Sequence, residues 1–219
     1  MSLDEVRIRV AEAAERFGRD PEEITIVAVT KSQPIDAIQA AYDLGLRDFG
    51  ENRAQDLVAK ADVLPSDIRW HFVGRLQTNK ARIVRPRVVL LHSMDRAKLA
   101  EAWLKGPGLP PDSLLQVNIG REPQKGGVDP EDADELVHRL TELGIALKGL
   151  MAIPPVGPPS ESRGYFRELA ELRDQLVSRH PGLDGLSAGM TDDYEIAVEE
   201  GSTMVRIGRA IFGPRQSDA

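Results

Sequence analysis

Apolar residues along this chain come in two spacings that take turns. In "EITIVAVTK", Thr25, Val27, Val29 and Lys31 fall on one side of a period of two, and Ile24, Ile26 and Ala28 on the other. An extended run that is apolar on both sides belongs in a parallel strand covered on both faces. The next segment, "PIDAIQAAYDLG", has helical spacing, with proline at its start and glycine at its end. The alternation then repeats. Strands are expected in "RDFGEN", "IRWHFVG", "VVLLHSM", "SLLQVNIG", "ALKGLMAI", "GLSAGMT" and "TMVRIG". Between them, helices are expected in "RAQDLVAKADVL", "QTNKARIVR" and "DRAKLAEAWLK", from about Pro130 to Leu143, from about Arg163 to Ser178, and in "DDYEIAVEEG". A leading amphipathic helix covers about residues 3–17, with Val6, Val10, Ala13 and Ala14 on one stripe.

Strands and helices that alternate in this way argue for a parallel sheet. The strand candidates are enough for a closed α/β architecture, a (β/α)8 TIM barrel with an extra N-terminal helix. Its competitor is an open doubly wound sheet. No break in composition marks a second domain, so one domain is expected over residues 1–219, with the barrel over about 24–213. The proline-rich "IPPVGPPS" reads as an extended surface loop, because the rhythm resumes after it.

Composition narrows the function. At 219 residues and 41% hydrophobic, the chain can bury a substantial core. A formal charge of -7, with no dense basic stripe, argues against a nucleic-acid partner. There is no cysteine, which excludes thiol catalysis and thiolate metal sites. The N-terminal segment lacks the apolar core of a secretory signal, and no run approaches a membrane span, so a cytoplasmic protein with no membrane partner is expected. The four histidines, His71, His92, His138 and His180, lack metal-ligand spacing.

In such a barrel the site lies at the C-terminal ends of the strands. There the chain offers Lys31, Asn52, Gly74, Ser93, Asn118, Met151 to Pro154, Ser187 to Thr191, and Arg206 to Gly208. Lys31 and Arg206 each follow inward-facing residues on their own strands, which a merely solvated strand end does not explain. The stretch "LSAGMTDDYEIAVEEGSTMVRIGRAIFG" adds two clusters of small and hydroxyl residues, Ser187 to Thr191 and Gly201 to Thr203. Loops after the last two strands often hold phosphate in these barrels, through backbone N–H groups and hydroxyl donors. A lysine facing a phosphate cup suits an aldehyde that carries a phosphate, and pyridoxal 5′-phosphate is that molecule. Lys31 is then the covalent Schiff-base residue. Ser187, Thr191, Ser202 and Thr203, with N–H groups near Gly189 and Gly208, are expected to hold the phosphate, and Asn52 to bond near the ring or its O3′. Arg206 is expected at the pyridine nitrogen. Being permanently protonated, it would keep that nitrogen unprotonated and weaken the ring as an electron sink. His71 reads as a packed barrel or pocket histidine, and His92 and Ser93 as lining the mouth.

The segments "VAVTKSQP", "FGENRAQDL", "WHFVGRLQTNK", "HSMD", "QVNIGREPQKGGV", "GLMAIPP" and "LSAGMTDDYEIAVEEGSTMVRIGRAIFG" closely resemble, in order, the YggS/PROSC family of pyridoxal-phosphate homeostasis proteins. The resemblance implies a barrel like the N-terminal domain of alanine racemase, with the cofactor on Lys31. That family commonly reads Ser-Met-Gly-Met-Ser where this chain has Ser187-Ala188-Gly189-Met190-Thr191. It is understood as non-catalytic, buffering or delivering the cofactor and influencing vitamin B6 balance.

A racemase needs acid/base groups on both faces of its substrate. No tyrosine stands at a predicted strand end, and the chain closes shortly after the last strand, so a carrier is expected rather than an enzyme. A monomer is expected, with apo pyridoxal-phosphate enzymes as candidate partners. The alternatives are a pyridoxal-phosphate-dependent racemase or decarboxylase, and a cofactor-free Schiff-base aldolase using Lys31.

Overall fold

The computed structural model describes residues 2–106 and 108–213; Met1 and the last six residues of the expected 1–219 domain lie outside the described residues. Eight strands, β1 (Thr25–Val29), β2 (Asp48–Glu51), β3 (Arg69–Phe72), β4 (Leu90–Met94), β5 (Asp112–Val117), β6 (Leu147–Ala152), β7 (Gly185–Ser187) and β8 (Met204–Ile207), pair in chain order and close into a barrel. Every pairing is parallel, and β8 returns to β1 with Val27 beside Arg206. Closure rules out the open doubly wound sheet. Helices α1 (Leu3–Arg16), α2 (Ile35–Asp43), α3 (Ala54–Ala61), α4 (Ala81–Val84), α5 (Ala97–Leu104), α6 (Ala133–Glu142), α7 (Pro159–Val177), α8 (Tyr194–Glu199) and α9 (Arg209–Phe212) complete the fold.

The helix that leads into the barrel starts on a reciprocal cap. The Glu5 N–H donates to Ser2 Oγ at 3.2 Å, and the Ser2 N–H donates to Glu5 Oε2 at 2.6 Å. The stripe of Val6, Val10, Ala13 and Ala14 is buried against Tyr194, Val198, Val205, Ile207 and Ala210. Each fully buried valine contributes roughly 1.5–3 kcal/mol, so α1 is fastened to the last βα unit rather than left as an appendage.

One boundary and one added element stand out against expectation. Helix α7 begins at Pro159, ahead of the expected Arg163, because proline fits the first turn of a helix, where its missing N–H is not needed. The short α9 was not anticipated; Gly208 is its N-cap.

The core has two shells. Outward residues of the strands, such as Ala28, Phe49, Leu91, Leu115 and Leu150, pack under the helices. Inside the barrel, Leu90, Leu114 and Met151 cluster with Ile153 and Met204. Beside them the interior carries a polar column. Asp48, His71, His92, Ser187 and Arg206 run through it, joined by hydrogen bonds from the start of β2 to β8.

Candidate functional site

A cavity of about 330 Å³ opens where β1, β6 and β8 end, lined by Val29, Val73, Ile153, Thr191, Arg206 and Gly208, among others. It has apolar walls, which suit a flat ring, and a guanidinium at its base. Arg206 donates from Nη1 to Ser187 Oγ at 2.6 Å and from Nη2 to the Ala152 carbonyl at 2.9 Å. Burial lowers its pKa to about 10, against the pull of the Asp193 carboxylate, so it stays cationic at neutral pH.

Lys31 follows β1 on the same period of two as Val27 and Val29. It is half-buried, and its ammonium has no hydrogen bond or ion pair with a described residue. The backbone just before it is held firmly. Thr30 donates its N–H to the Gly50 carbonyl at 2.9 Å and its hydroxyl to Glu51 Oε1 at 2.8 Å, and its carbonyl accepts from Lys60 Nζ at 2.7 Å. The next residue, Ser32, has φ +59, a left-handed turn that redirects the chain toward α2.

Asn52, after β2, has a buried side-chain oxygen, Oδ1, with no hydrogen-bond partner among the described residues. An orphaned buried acceptor costs free energy unless something donates to it. Asn52 lines a second cavity of about 220 Å³ together with Arg53, Arg75 and Lys80. The end of β3 approaches it closely: a Cβ on Gly74 would lie 2.3 Å from the Asn52 carbonyl oxygen, so only glycine fits there.

The expected phosphate cup is rearranged. Thr191 and Gly208 line the larger cavity, and the N–H groups of Thr191, Gly208 and Arg209 have no acceptor among the described residues. Gly189 makes the turn before Thr191 at φ +89, where a Cβ would lie 2.5 Å from the Ala197 Cβ; its carbonyl accepts from the Arg206 N–H at 3.0 Å. Ser187, Ser202 and Thr203 are corrections. Ser187 points into the barrel, and its hydroxyl is shared between Arg206 and His92 Nδ1, the latter at 2.9 Å. Ser202 and Thr203 precede β8, toward the end of the barrel away from the mouth. The Ser202 hydroxyl donates among the carbonyls of Leu186, Ala188 and Met204, and Thr203 Oγ1 accepts the Leu186 N–H at 2.8 Å. Both hydroxyls are consumed in joining β7 to β8.

His92 is also not at the mouth. It is fully buried inside the barrel, because β4 runs on to Met94, and Ser93 is buried with it. Burial, followed by the charges of His71 and Arg206, pushes the His92 pKa well below the ordinary histidine value. His71 bonds His92 at 2.9 Å on one side and Asp48 at 3.0 Å on the other. The sequence carries no signal for Asp48, Glu51 and Lys60, because their partners lie on other elements.

No helix among the described residues is long and apolar enough to cross a membrane, and no cluster of metal-ligating residues stands among them.

Residues 1–216 match the family described as alanine racemase, N-terminal domain. The pyridoxal phosphate homeostasis protein of Aquifex aeolicus is 42% identical over 98% of this chain and 97% of its own length. That of Escherichia coli K12 is 43% identical over 98% and 95%. Among solved structures, PipY of Synechococcus elongatus with pyridoxal phosphate bound superposes with a TM-score of 0.80, at 34% identity, covering 95% of this chain and all of that one.

Proposed function

We propose, for a chain that belongs to the pyridoxal phosphate homeostasis proteins of the alanine racemase N-terminal domain family, that it holds pyridoxal 5′-phosphate at the barrel mouth and serves the cofactor's homeostasis and delivery in the cytoplasm rather than catalysis. The observation that carries this is that Lys31, which has no partner among the described residues, stands at the end of the inward stripe of β1, beside β8 with its buried guanidinium, Arg206.

The donor set fits the group. An aldehyde needs an amine, a pyridine nitrogen needs a donor, a ring hydroxyl needs an acceptor, and a phosphate dianion needs N–H groups. Lys31, Arg206, the orphaned Asn52 Oδ1, and the free N–H groups of Thr191, Gly208 and Arg209 answer these in turn. When bound, the cofactor supplies an aldehyde carbon that amines take up reversibly and a ring that can withdraw electrons. Lys31 would hold that carbon covalently. Arg206 would donate to the ring nitrogen without surrendering a proton to it, and Val29, Val73 and Ile153 would keep water from the ring faces. Gly189 shapes the turn that presents Thr191. The Ser187 hydroxyl serves Arg206 rather than the phosphate.

The non-catalytic part of the reading rests on what lines the cavity. Among the described residues that line it, the one carboxylate, Asp192, is paired with Arg209 at 2.5 Å, and there is neither a histidine nor a tyrosine. A carbon acid needs a placed base on the face opposite the lysine. A carrier needs only reversible capture, and apo-enzymes that use the cofactor are the natural recipients. The protein is taken to act as a monomer.

Borohydride reduction of cofactor-loaded protein, followed by peptide mass mapping, tests the assignment. One pyridoxyl phosphate on the peptide containing Lys31 is expected. Modification elsewhere, or none, overturns it, and rapid exchange of the α-proton of added amino acids would overturn the non-catalytic reading.

A further inference from the structure

The polar column inside the barrel has a direction that its chemistry dictates. Arginine only donates, so Ser187 Oγ accepts from Arg206 Nη1. At the other end, the Asp48 carboxylate only accepts. It faces His71 Nε2 at 3.0 Å and takes a further hydrogen bond from Arg69 Nε at 2.8 Å. His71 must therefore carry a proton on Nε2. In a neutral ring that leaves Nδ1 an acceptor, so His92 donates from Nε2 across the 2.9 Å contact. His92 Nδ1 is then also an acceptor, and the Ser187 hydroxyl proton points at it across 2.9 Å. Every donor points the same way, from Arg206 toward Asp48.

We propose that Asp48, at the end of the barrel away from the mouth, is a positioning residue for the cofactor site: acting through His71, His92 and Ser187, it fixes the direction of the hydrogen-bond chain and so the acceptor that Ser187 offers Arg206. This rests on the reading of Arg206 as the partner of the ring nitrogen. With its proton committed to His92, Ser187 presents lone pairs to the guanidinium. If the chain reverses, His92 donates to Ser187 and competes with Arg206 for the same oxygen. The guanidinium then bonds more weakly inward and more strongly to whatever occupies the cavity.

Asp48→Asn is the informative change. Arg69, donor-only, claims the single amide oxygen, and the amide NH2 turns to His71 Nε2. His71 and His92 must then both move their protons to Nδ1. Adding Arg69→Met to Asp48→Asn removes the competing donor and lets the amide oxygen return to His71. Long-range proton–nitrogen NMR of the imidazoles in cofactor-free protein reads the tautomers directly. Nε2–H is expected at both His71 and His92 in the unmodified chain, Nδ1–H at both in Asp48→Asn, and Nε2–H again in the double variant. In loaded protein, Asp48→Asn should shift the cofactor absorption maximum, and the double variant should restore it. Nδ1–H or doubly protonated rings in the unmodified chain overturn the proposal. So do tautomers that Asp48→Asn leaves unchanged, and a reversal of tautomers with no change in absorption. Failure to load cofactor in the unmodified protein defeats the functional reading instead, and it is told apart because the NMR measurement needs no cofactor.

Discussion

Lys60 Nζ lies 2.5 Å from Glu51 Oε1 inside the protein, and its second hydrogen bond goes to the carbonyl of Thr30, the residue before Lys31. The Glu51 side chain is fully buried; its other oxygen accepts the Asn52 N–H at 3.0 Å. One buried ion pair thus ties the backbone on which Lys31 stands to the backbone on which Asn52 stands. Removing one member of such a pair strands the other, at a cost of about 3–5 kcal/mol. Lys60→Met should therefore lower unfolding stability in urea by about that much, and should reduce the yield of borohydride-trapped cofactor on Lys31 even where the variant is folded. A loss under about 1 kcal/mol would mean that Glu51 finds other partners.

The barrel could be read from the chain, and the reason is visible in β1. Val27 and Ala28, on opposite faces, are both buried, so the apolar pattern is continuous and distinct from the helical spacing that follows. Lys31 and Arg206 were legible for a related reason: each continues an inward period of two. What was not legible depends on distant partners or on strand ends. Hydroxyl clusters look alike at either end of a strand, so Ser202 and Thr203 were misplaced by the few residues that separate the two ends of β8. The Asp48–His71–His92–Ser187 column joins four strands, and no local pattern announces it. Pro158 and Pro159 read as loop because proline breaks helices in their interior, although it is welcome at the first turn.

Gly189 offers a test of the turn beside the cavity. Its φ of +89 disfavours any side chain, and an added Cβ would meet Ala197 at 2.5 Å and the Tyr194 Cα at 2.9 Å. Gly189→Ala should cost about 1–3 kcal/mol and displace α8 from its packing on α1. A thermal unfolding midpoint equal to that of the unmodified protein would show that the turn can relax without cost.

The site's acid limit follows from Asp48. Burial alone would raise its pKa, but hydrogen bonds from Arg69 and His71 outweigh burial and hold it at about 2, below the ordinary 3.8. A carboxylate lowered on folding stabilises the protein fully above its unfolded value, and that contribution is lost as the pH falls from about 4 to about 2. After discounting for the exposed Arg69 side chain, roughly 1–2 kcal/mol should disappear in that window. Urea midpoints measured down the pH scale should show this loss in the unmodified chain and a flatter profile in Asp48→Asn. Equal slopes would place the acid sensitivity in other carboxylates.

Thr191 tests the anion cup without touching the core. It stands at the cavity, half-buried, and its N–H has no acceptor among the described residues. A hydrogen bond to a charged group is worth about 1.5–3 kcal/mol. Thr191→Pro removes the N–H and the hydroxyl together and should weaken binding of pyridoxal phosphate by about tenfold or more, while changing the weaker binding of pyridoxal little. Equal loss for the two aldehydes would move the phosphate elsewhere.

Arg206 decides how the held ring behaves. Its guanidinium is buried but still cationic at neutral pH, and two hydrogen bonds, to Ser187 and Ala152, fix its position. Two cationic groups at hydrogen-bonding distance repel, so a pyridine nitrogen facing Arg206 should remain unprotonated. Nitrogen-15 NMR of labelled cofactor in the loaded protein should show a free-base ring nitrogen across the neutral range. Arg206→Glu replaces the donor with a carboxylate that favours a protonated nitrogen. The same signal should then move to the protonated range, with looser retention of the cofactor, because the carboxylate also loses the bonds to Ser187 and Ala152. A protonated nitrogen already present in the unmodified protein would confine Arg206 to the barrel interior, as the cation that anchors Ser187 and the end of β6.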